Sequence, residues 1–443
     1  MKKTFSLYAS ALLFSLSIVA CSSTTKASAA TTTKNERVPF ARPESISASQ
    51  LPDGFASTNF SSKVDFSSAK TVSTKEELRS ALRKGGVIYV NGMIDMSDGM
   101  LPSEGGASNA ALDAFVKKHS RFSTYKEYKD AYAAACTTST NDQSKGPQSS
   151  MYTTMHDLNL TYRDVIQVAI RSNTILIGLT SESGFSGGTV SINGVSNVIL
   201  RNLTIRDAYD PFPHHEANDG YNAEHDTVAI QGSKNIWVDH CTFADTINVS
   251  HVLTAGKNDE KWQTFDGLCD ITNGNDNITI SYCKFMNHDK TMLIGSSDSE
   301  SIKPENRHIT LHHNYFYNCG QRLPMVRLTT VHTYNNFFEV AKDAPYKSNY
   351  ALGVRYNALI QSENNYYGSG TGYSFSGNSG SKQGTVYSIG DIDKTTNGKK
   401  TGQYKVSKSP LFTIPYTYAT ITAEEVPDYV KANAGAGMIP VVQ

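Results

Sequence analysis

"NIWVDHCTF" (Asn235–Phe243) and "NITISYCKF" (Asn277–Phe285) are one nine-residue pattern, 42 residues apart. The pattern returns as "HITLHHNYF" at His308, "TTVHTYNNF" at Thr329 and "ALIQSENNY" at Ala358, and "NVILRNLTI" at Asn197 is an earlier relative. Each clear copy opens on alternating apolar residues: Ile236 and Val238, Ile278 and Ile280, Ile309 and Leu311. Alternation at period two marks a strand with one buried face. The copies close on Ile205, Phe243, Phe285, Phe316, Phe337 and Tyr366, and two places earlier stand Cys241, Cys283, Asn314, Asn335 and Asn364. A strand-plus-turn unit that repeats without a helix predicts an all-β solenoid, a parallel β-helix whose coils bury their apolar rows against one another. The shortest spacing, 21 residues, is about one bare coil. The surplus in the spacings of 38 and 42 must leave the stack as long loops, and loops on a rigid scaffold are where function tends to sit.

A length of 443 residues would ordinarily suggest several domains, but a solenoid grows by adding coils. Lys+Arg and Asp+Glu number 41 each, so net charge offers no general attraction to nucleic acid or to anionic membranes. "MKK" followed by "LYASALLFSLSIVA" reads as an export signal over residues 1–20, too short to span a membrane as a helix. "IVAC" ahead of Ser22 resembles a bacterial lipobox, which would make Cys21 the lipidated first residue of a secreted, surface-anchored protein. The alternative is an ordinary signal peptide cut nearby. Residues 21–58 are Ser/Thr/Ala-rich and predict a flexible stalk; 59–443 form the β-helix domain, a monomer. "VSTKEELRSALRKGG" (Val72–Gly86) predicts an amphipathic helix with Ser73 and Glu76 as its capping box, placed to cap the open N-terminal end of the solenoid. Residues 105–150 predict a helical excursion, and the Gly/Ser/Tyr-rich segment after about 370 a wrapping for the far end.

Besides Cys21 there are Cys136, Cys241, Cys269, Cys283 and Cys319. Cys241 and Cys283 share a repeat position on successive coils, about 4.8 Å apart and within disulfide reach. The preferred reading is two free thiols filling an internal row that later coils fill with Asn. No CxxC pair exists, which argues against zinc.

The long loops hold the acids. "YNAEHDTVAI" carries Glu224 and Asp226, and "FDGLCDI" carries Asp266 and Asp270. Residues four apart share a strand face, and Asp226 is expected one coil back on that face. Three such carboxylates repel one another unless a cation lies between them, and an all-oxygen set points to Ca²⁺; the alternative is three solvated surface acids. The next coils bring Lys290 in "FMNHDKTMLIG", then Arg322 and Arg327 in "QRLPMVR". An Arg pair five apart faces opposite ways in a regular strand, but Pro324 makes a bend that could bring both to one side.

The set "EHDTVAI…NIWVDHCTF…FDGLCDI…HDKTMLIG…QRLPMVR" resembles pectate lyases of the polysaccharide lyase family that also holds pectin lyases. Each motif alone is weak; together and in order they are specific. The likeness is densest over about Ser191–Phe338. It implies a right-handed parallel β-helix that cleaves homogalacturonan, an acidic polysaccharide, by calcium-dependent β-elimination. Asp226, Asp266 and Asp270 match the calcium ligands, with Glu224 a lesser candidate. Arg322 matches the base that removes the C5 proton, and Lys290 and Arg327 match residues that hold substrate carboxylates. A proton alpha to a carboxylate is poorly acidic, so cations on that carboxylate must stabilise the developing enolate. Arginine is normally always protonated, so the role requires neighbouring positive charge to disfavour its charged form. The tempting rivals His312 and His313 fall mid-strand, where coil packing accounts for them. The loop from Thr246 to Trp262 departs from the family pattern, which leaves product pattern and ester tolerance open. Three other functions compete. A polygalacturonase would use Asp266 and Asp270 as acid and base but leaves the cations unexplained. A non-catalytic adhesin would not need the intact Asp and Arg set. A pectin lyase, acting without calcium, would not need the acids.

Overall fold

The computed structural model describes residues 39–443 apart from 62–63, 103–108, 137–149, 217–218, 248–251, 256–259 and 379–381. The expected export signal, Cys21 and the start of the stalk lie outside the described residues.

Three long sheets run side by side, one of eleven strands and two of nine, and every pairing within them is parallel. Each coil gives one strand to each sheet. The coil that holds the opening motif contributes Val228–Gln231 to one nine-stranded sheet, Lys234–Asp239 to the eleven-stranded sheet and Thr242–Ala244 to the other nine-stranded sheet. The next contributes Cys269–Thr272, Asp276–Ser281 and Lys284–Lys290. The sheet of Val228–Gln231 and Cys269–Thr272 is called the site sheet below. The architecture is a right-handed parallel β-helix, the hand that parallel crossovers take almost without exception.

The rows that the repeat predicts are stacked inside. Ile236 pairs with Ile278, Ile278 with Ile309, Ile309 with Val331 and Val331 with Ile360. Rings stack at one coil per step: Phe243–Phe285 at 5.0 Å between centroids, then Phe285–Phe316, Phe316–Phe338 and Phe338–Tyr367 at 4.9 Å each. The ladder corrects the reading of the last two copies. Phe338 and Tyr367, not Phe337 and Tyr366, continue the stack, so those copies begin at Thr330 and Leu359. Doubled residues ("NNF", "NNY") let the pattern slip by one, and a slip by one turns a side chain to the other face. The polar row shifts with it, to Asn336 and Asn365. Cys283 N–H donates to Asn314 Oδ1 (2.9 Å), Asn314 N–H to Asn336 Oδ1 (2.9 Å) and Asn336 N–H to Asn365 Oδ1 (2.8 Å). Cys241 and Cys283 head this row, and like Cys136, Cys269 and Cys319 they are buried and outside any disulfide.

The expected helix is Lys75–Leu82, and its buried Leu78, Ala81 and Leu82 join the coil core. Its capping box is Thr74 and Glu77, one residue later than expected: Thr74 is extended, accepts from Glu77 N–H (3.2 Å) and receives the Glu77 carboxylate at its own N–H. The excursion holds helices Ala110–His119, Tyr125–Ala135 and Ser150–Ile166, which pack an aromatic core of their own around Phe115, Tyr128, Tyr162 and Phe212.

Two expectations fail at the ends. The stalk assigned to 21–58 is packed through its later described part: Ile46, Phe55 and Ala56 are buried, and the N–H groups of Phe55 and Ala56 donate to Thr310 and Thr279 Oγ1, 3.0 Å each. The coils also run on past 370, with strands Tyr373–Gly377, Thr385–Ile389 and Ile392–Asp393 continuing the three sheets. Beyond Val406 the chain turns back over the eleven-stranded sheet. Leu411 N–H donates to Gln361 Oε1 (2.6 Å), Ile421 N–H to Asn335 Oδ1 (3.0 Å) and Gly437 N–H to Asn202 Oδ1 (2.7 Å). Val441 then pairs with Ile46. Two straps, one from each end, thus cover the outer face of that sheet. Threonine, asparagine and glutamine side chains supply their anchors.

Candidate active site

Long excursions leave the stack just before the site-sheet strands. Asp226 and Asp266 stand in the turns ahead of Val228 and Cys269, and Asp270 lies within its strand. The shared-face argument from spacing therefore applies only to Asp270. The carboxylates nevertheless converge. Gly267 N–H donates to Asp226 Oδ1 (2.9 Å) and Leu293 N–H to Asp270 Oδ1 (2.9 Å). Gly267 leaves room between them: a Cβ there would run into Asp270 Oδ1 and lie 2.8 Å from Asp226 Oδ1. Burial, and then the charges of Asp270 and Asp266, hold the Asp226 carboxyl well above the usual carboxylate range; burial and Asp266 raise Asp270 likewise.

The cations arrive at the ends of strands of the neighbouring nine-stranded sheet. Lys290 ends its strand with Nζ 2.7 Å from Asp266 Oδ1. Arg322, in left-handed backbone at φ 59° beside the Leu323–Pro324 cis bond, faces Asp270 closely enough to oppose the rise in that carboxyl. Asp226 thus comes from one coil, Asp270 and Lys290 from the two sides of the next, and Arg322 from the coil after that, just past its strand Tyr315–Gln321. Two expected members are committed elsewhere. Glu224 pairs with His214 Nδ1 at 3.0 Å. Arg327 follows the strand Met325–Val326, and its Nε donates to Asp298 Oδ1 at 3.0 Å. His312 and His313 are buried against the eleven-stranded sheet between Tyr282 and Tyr334.

His288 was missed, although it heads the quoted "HDK". It is buried, with Nδ1 2.6 Å from Asp245 Oδ2 and Nε2 2.6 Å from the Asp266 carbonyl oxygen. Burial works against its charge, but Asp245 prevails and raises it. Asp245 and His288 therefore brace the backbone that carries Asp266. Asp210, fully buried, does the same for the other loop: it accepts from the N–H groups of Phe212 and Glu224, both at 2.8 Å. A buried, multiply bonded Asp at a loop root has no periodic signature, so no sequence pattern exposed it.

The donor set suits a hard divalent cation: oxygen ligands only, crowded, and short of positive charge. Among the described residues no three acidic or imidazole side chains close around one point; Asp266 is turned to Lys290 instead.

A family model described as pectate lyase matches residues 128–439. Pectate lyase D of Dickeya chrysanthemi is 36% identical over 282 residues, 62% of this chain and 72% of that one. The pectate lyase of Bacillus subtilis is 34% identical over 321 residues, 70% of this chain and 72% of that one. Among solved structures, a thermostable pectate lyase superposes with a TM-score of 0.70 at 29% identity, covering 87% of this chain and 97% of that one.

Proposed function

The chain belongs to the pectate lyase family, and from that premise we propose that it cleaves polygalacturonate by calcium-dependent β-elimination. One observation carries the reading: three aspartates at the site-sheet strands of two adjoining coils are met by Lys290 and Arg322, which come from the ends of strands in the neighbouring nine-stranded sheet. Asp226, Asp266 and Asp270 would hold the Ca²⁺, with Asp266 exchanging its ion pair to Lys290 for the metal. When bound, the ion draws charge from the uronate carboxylate and makes the C5 proton removable. Lys290, released from Asp266, holds a substrate carboxylate. Arg327 does the same once it leaves Asp298. With Asp270 taken up in holding the ion, Arg322 would take the C5 proton; the pair of electrons left behind expels the C4 oxygen, which picks up a proton from water, leaving a double bond in the new end sugar. Asp245 and His288 hold the Asp266 backbone in place throughout.

The test is ultraviolet absorbance of the product. The conjugated uronide should appear with calcium and vanish with excess chelator. Reducing ends without absorbance would mean hydrolysis, and full activity in chelator would remove the metal from the mechanism. We also propose that Cys21 is acylated and anchors the exported enzyme. Native protein should then partition into detergent and the Cys21→Ser variant into the aqueous phase; wild-type protein that stays aqueous refutes the anchor.

A further inference from the structure

Away from the aspartates, helix Lys75–Leu82 and the end of helix Ser150–Ile166 close a cavity of about 330 Å³ against the site sheet. Three guanidiniums, Arg79, Arg83 and Arg171, line it against a single acid, Asp164. Arg79 is committed: its Nη2 donates to the Asp164 carbonyl (3.0 Å) and the Val165 carbonyl (2.6 Å), holding the helix end. Arg83 and Arg171 are exposed, and among the described residues neither has a carboxylate at ion-pair distance. On a chain with no net formal charge, such a concentration of cations suits an anion.

The register says which anion can reach both places. Ala169, in the cavity wall, pairs with Ser191; Ser191 pairs with Ala229; Ala229 pairs with Asp270. One outward row of the site sheet therefore leads from the cavity to the aspartates. Three coil steps at ~4.8 Å make about 14 Å, a span several sugar rings long. The surface between shows Ser191, Asn193, Ala229 and Gln231, all at least partly exposed and none charged. A polyhydroxylated chain can lie on such a floor, and a charged residue there would have interrupted it. From Asp226 through Asp270 to Arg322, one coil at a time, the site runs along the same axis.

The geometry points to Arg83 and Arg171 as a distal subsite that takes a uronate carboxylate of the bound polymer, several rings from the bond that breaks. The inference rests on the polyuronate reading above. Neither arginine meets the reacting atoms. They add binding that is equal in ground and transition states, which lowers KM and leaves kcat alone, and they add it only for chains long enough to reach.

The experiment pairs the Arg83→Gln/Arg171→Gln double variant with wild type. Kinetics on trigalacturonate and on polygalacturonate should agree for the trimer. KM for the polymer should rise roughly three- to tenfold, the scale of two exposed ion pairs, with kcat unchanged. Retardation in a polygalacturonate gel, run in chelator so that nothing turns over, should weaken in the variant. Equal retardation of the two proteins, an unchanged polymer KM, or equal losses on trimer and polymer would each overturn the subsite. The two readings fail separately. Arginine-dependent retardation with no unsaturated product sinks the lyase chemistry alone, while normal elimination with no length effect sinks the subsite alone.

Discussion

His313 can be used to weigh the strapped face of the solenoid. Its ring stacks on Tyr282 at 4.8 Å and on Phe40 at 5.4 Å, and Tyr334 and Tyr429 pack on it edge-on. Nδ1 lies 2.9 Å from His312 Nδ1, and Nε2 is buried with no partner. A second proton would have no acceptor. Burial, and then the neighbouring His312 and His240, hold the imidazole well below its ordinary value of 6.5. The folded state therefore refuses a proton that the unfolded chain accepts below 6.5. Stability from this group is present above that value and is lost as pH falls. The size is about 1.4 kcal/mol one unit below 6.5, and it grows by about that much per further unit. His313→Asn isolates the effect. The backbone there is left-handed (φ 53°), and Asn335 and Asn364 take the same conformation at the same corner of later coils (52° and 50°). Loss of the two stacked pairs should cost about 2 kcal/mol above the titration range. One pH unit below 6.5 the gap to wild type should shrink by about 1.4 kcal/mol, because the variant has no proton to take up. Urea unfolding of both proteins at several pH values reads the difference directly, and titrations common to both cancel. A gap that stays constant across pH would show that His313 is already charged when folded, and the reasoning fails.

Other outcomes follow from the site and the core. Arg322→Lys keeps the charge but loses the fork geometry, and elimination should slow by at least about a hundredfold while polymer retardation stays as in wild type; near-wild-type turnover would remove Arg322 as the base. Asn336→Leu strips donors from the carbonyls of Leu311 and Tyr334 and an acceptor from Asn314. Unmatched buried groups of this kind cost ~1–3 kcal/mol each, so unfolding free energy should fall by at least about 3 kcal/mol; a loss below about 1 kcal/mol would mean the row is idle.

The inner rows were readable because a stacked coil repeats its own face, and Ile236, Ile278 and Ile309 could hardly mean anything else. The copies slipped where a doubled residue offered two registers, at Phe337–Phe338 and Tyr366–Tyr367, and only pairing to the coil below decides between them. The strands after residue 370 escaped notice because Gly, Ser and Tyr replace the aliphatic alternation there. At the site, the identities of Asp226, Asp270, Lys290 and Arg322 carried the reading, while their order along the stack came from loop lengths that no local pattern reveals. Asp245, His288 and Asp210 brace the loops across long gaps in sequence, and Arg83 and Arg171 meet only because a helix end lands beside a strand end. Contacts of that kind have no period.

The two straps set a timetable. Gly437 reaches back 235 positions to Asn202, and Val441 closes on Ile46. Contacts this far apart in sequence form late, since closing a long loop must precede any gain from it. Until residues 407–442 have emerged and doubled back, the early coils present Ile177, Ile199 and Trp237 without the C-terminal cover of Ile439. A chain whose C-terminal segment has not yet docked thus exposes part of that apolar wall, and a chaperone has something to hold. The pairing of Val441 with Ile46 spans the greatest separation in the chain's described sheets and is expected among the last contacts to form.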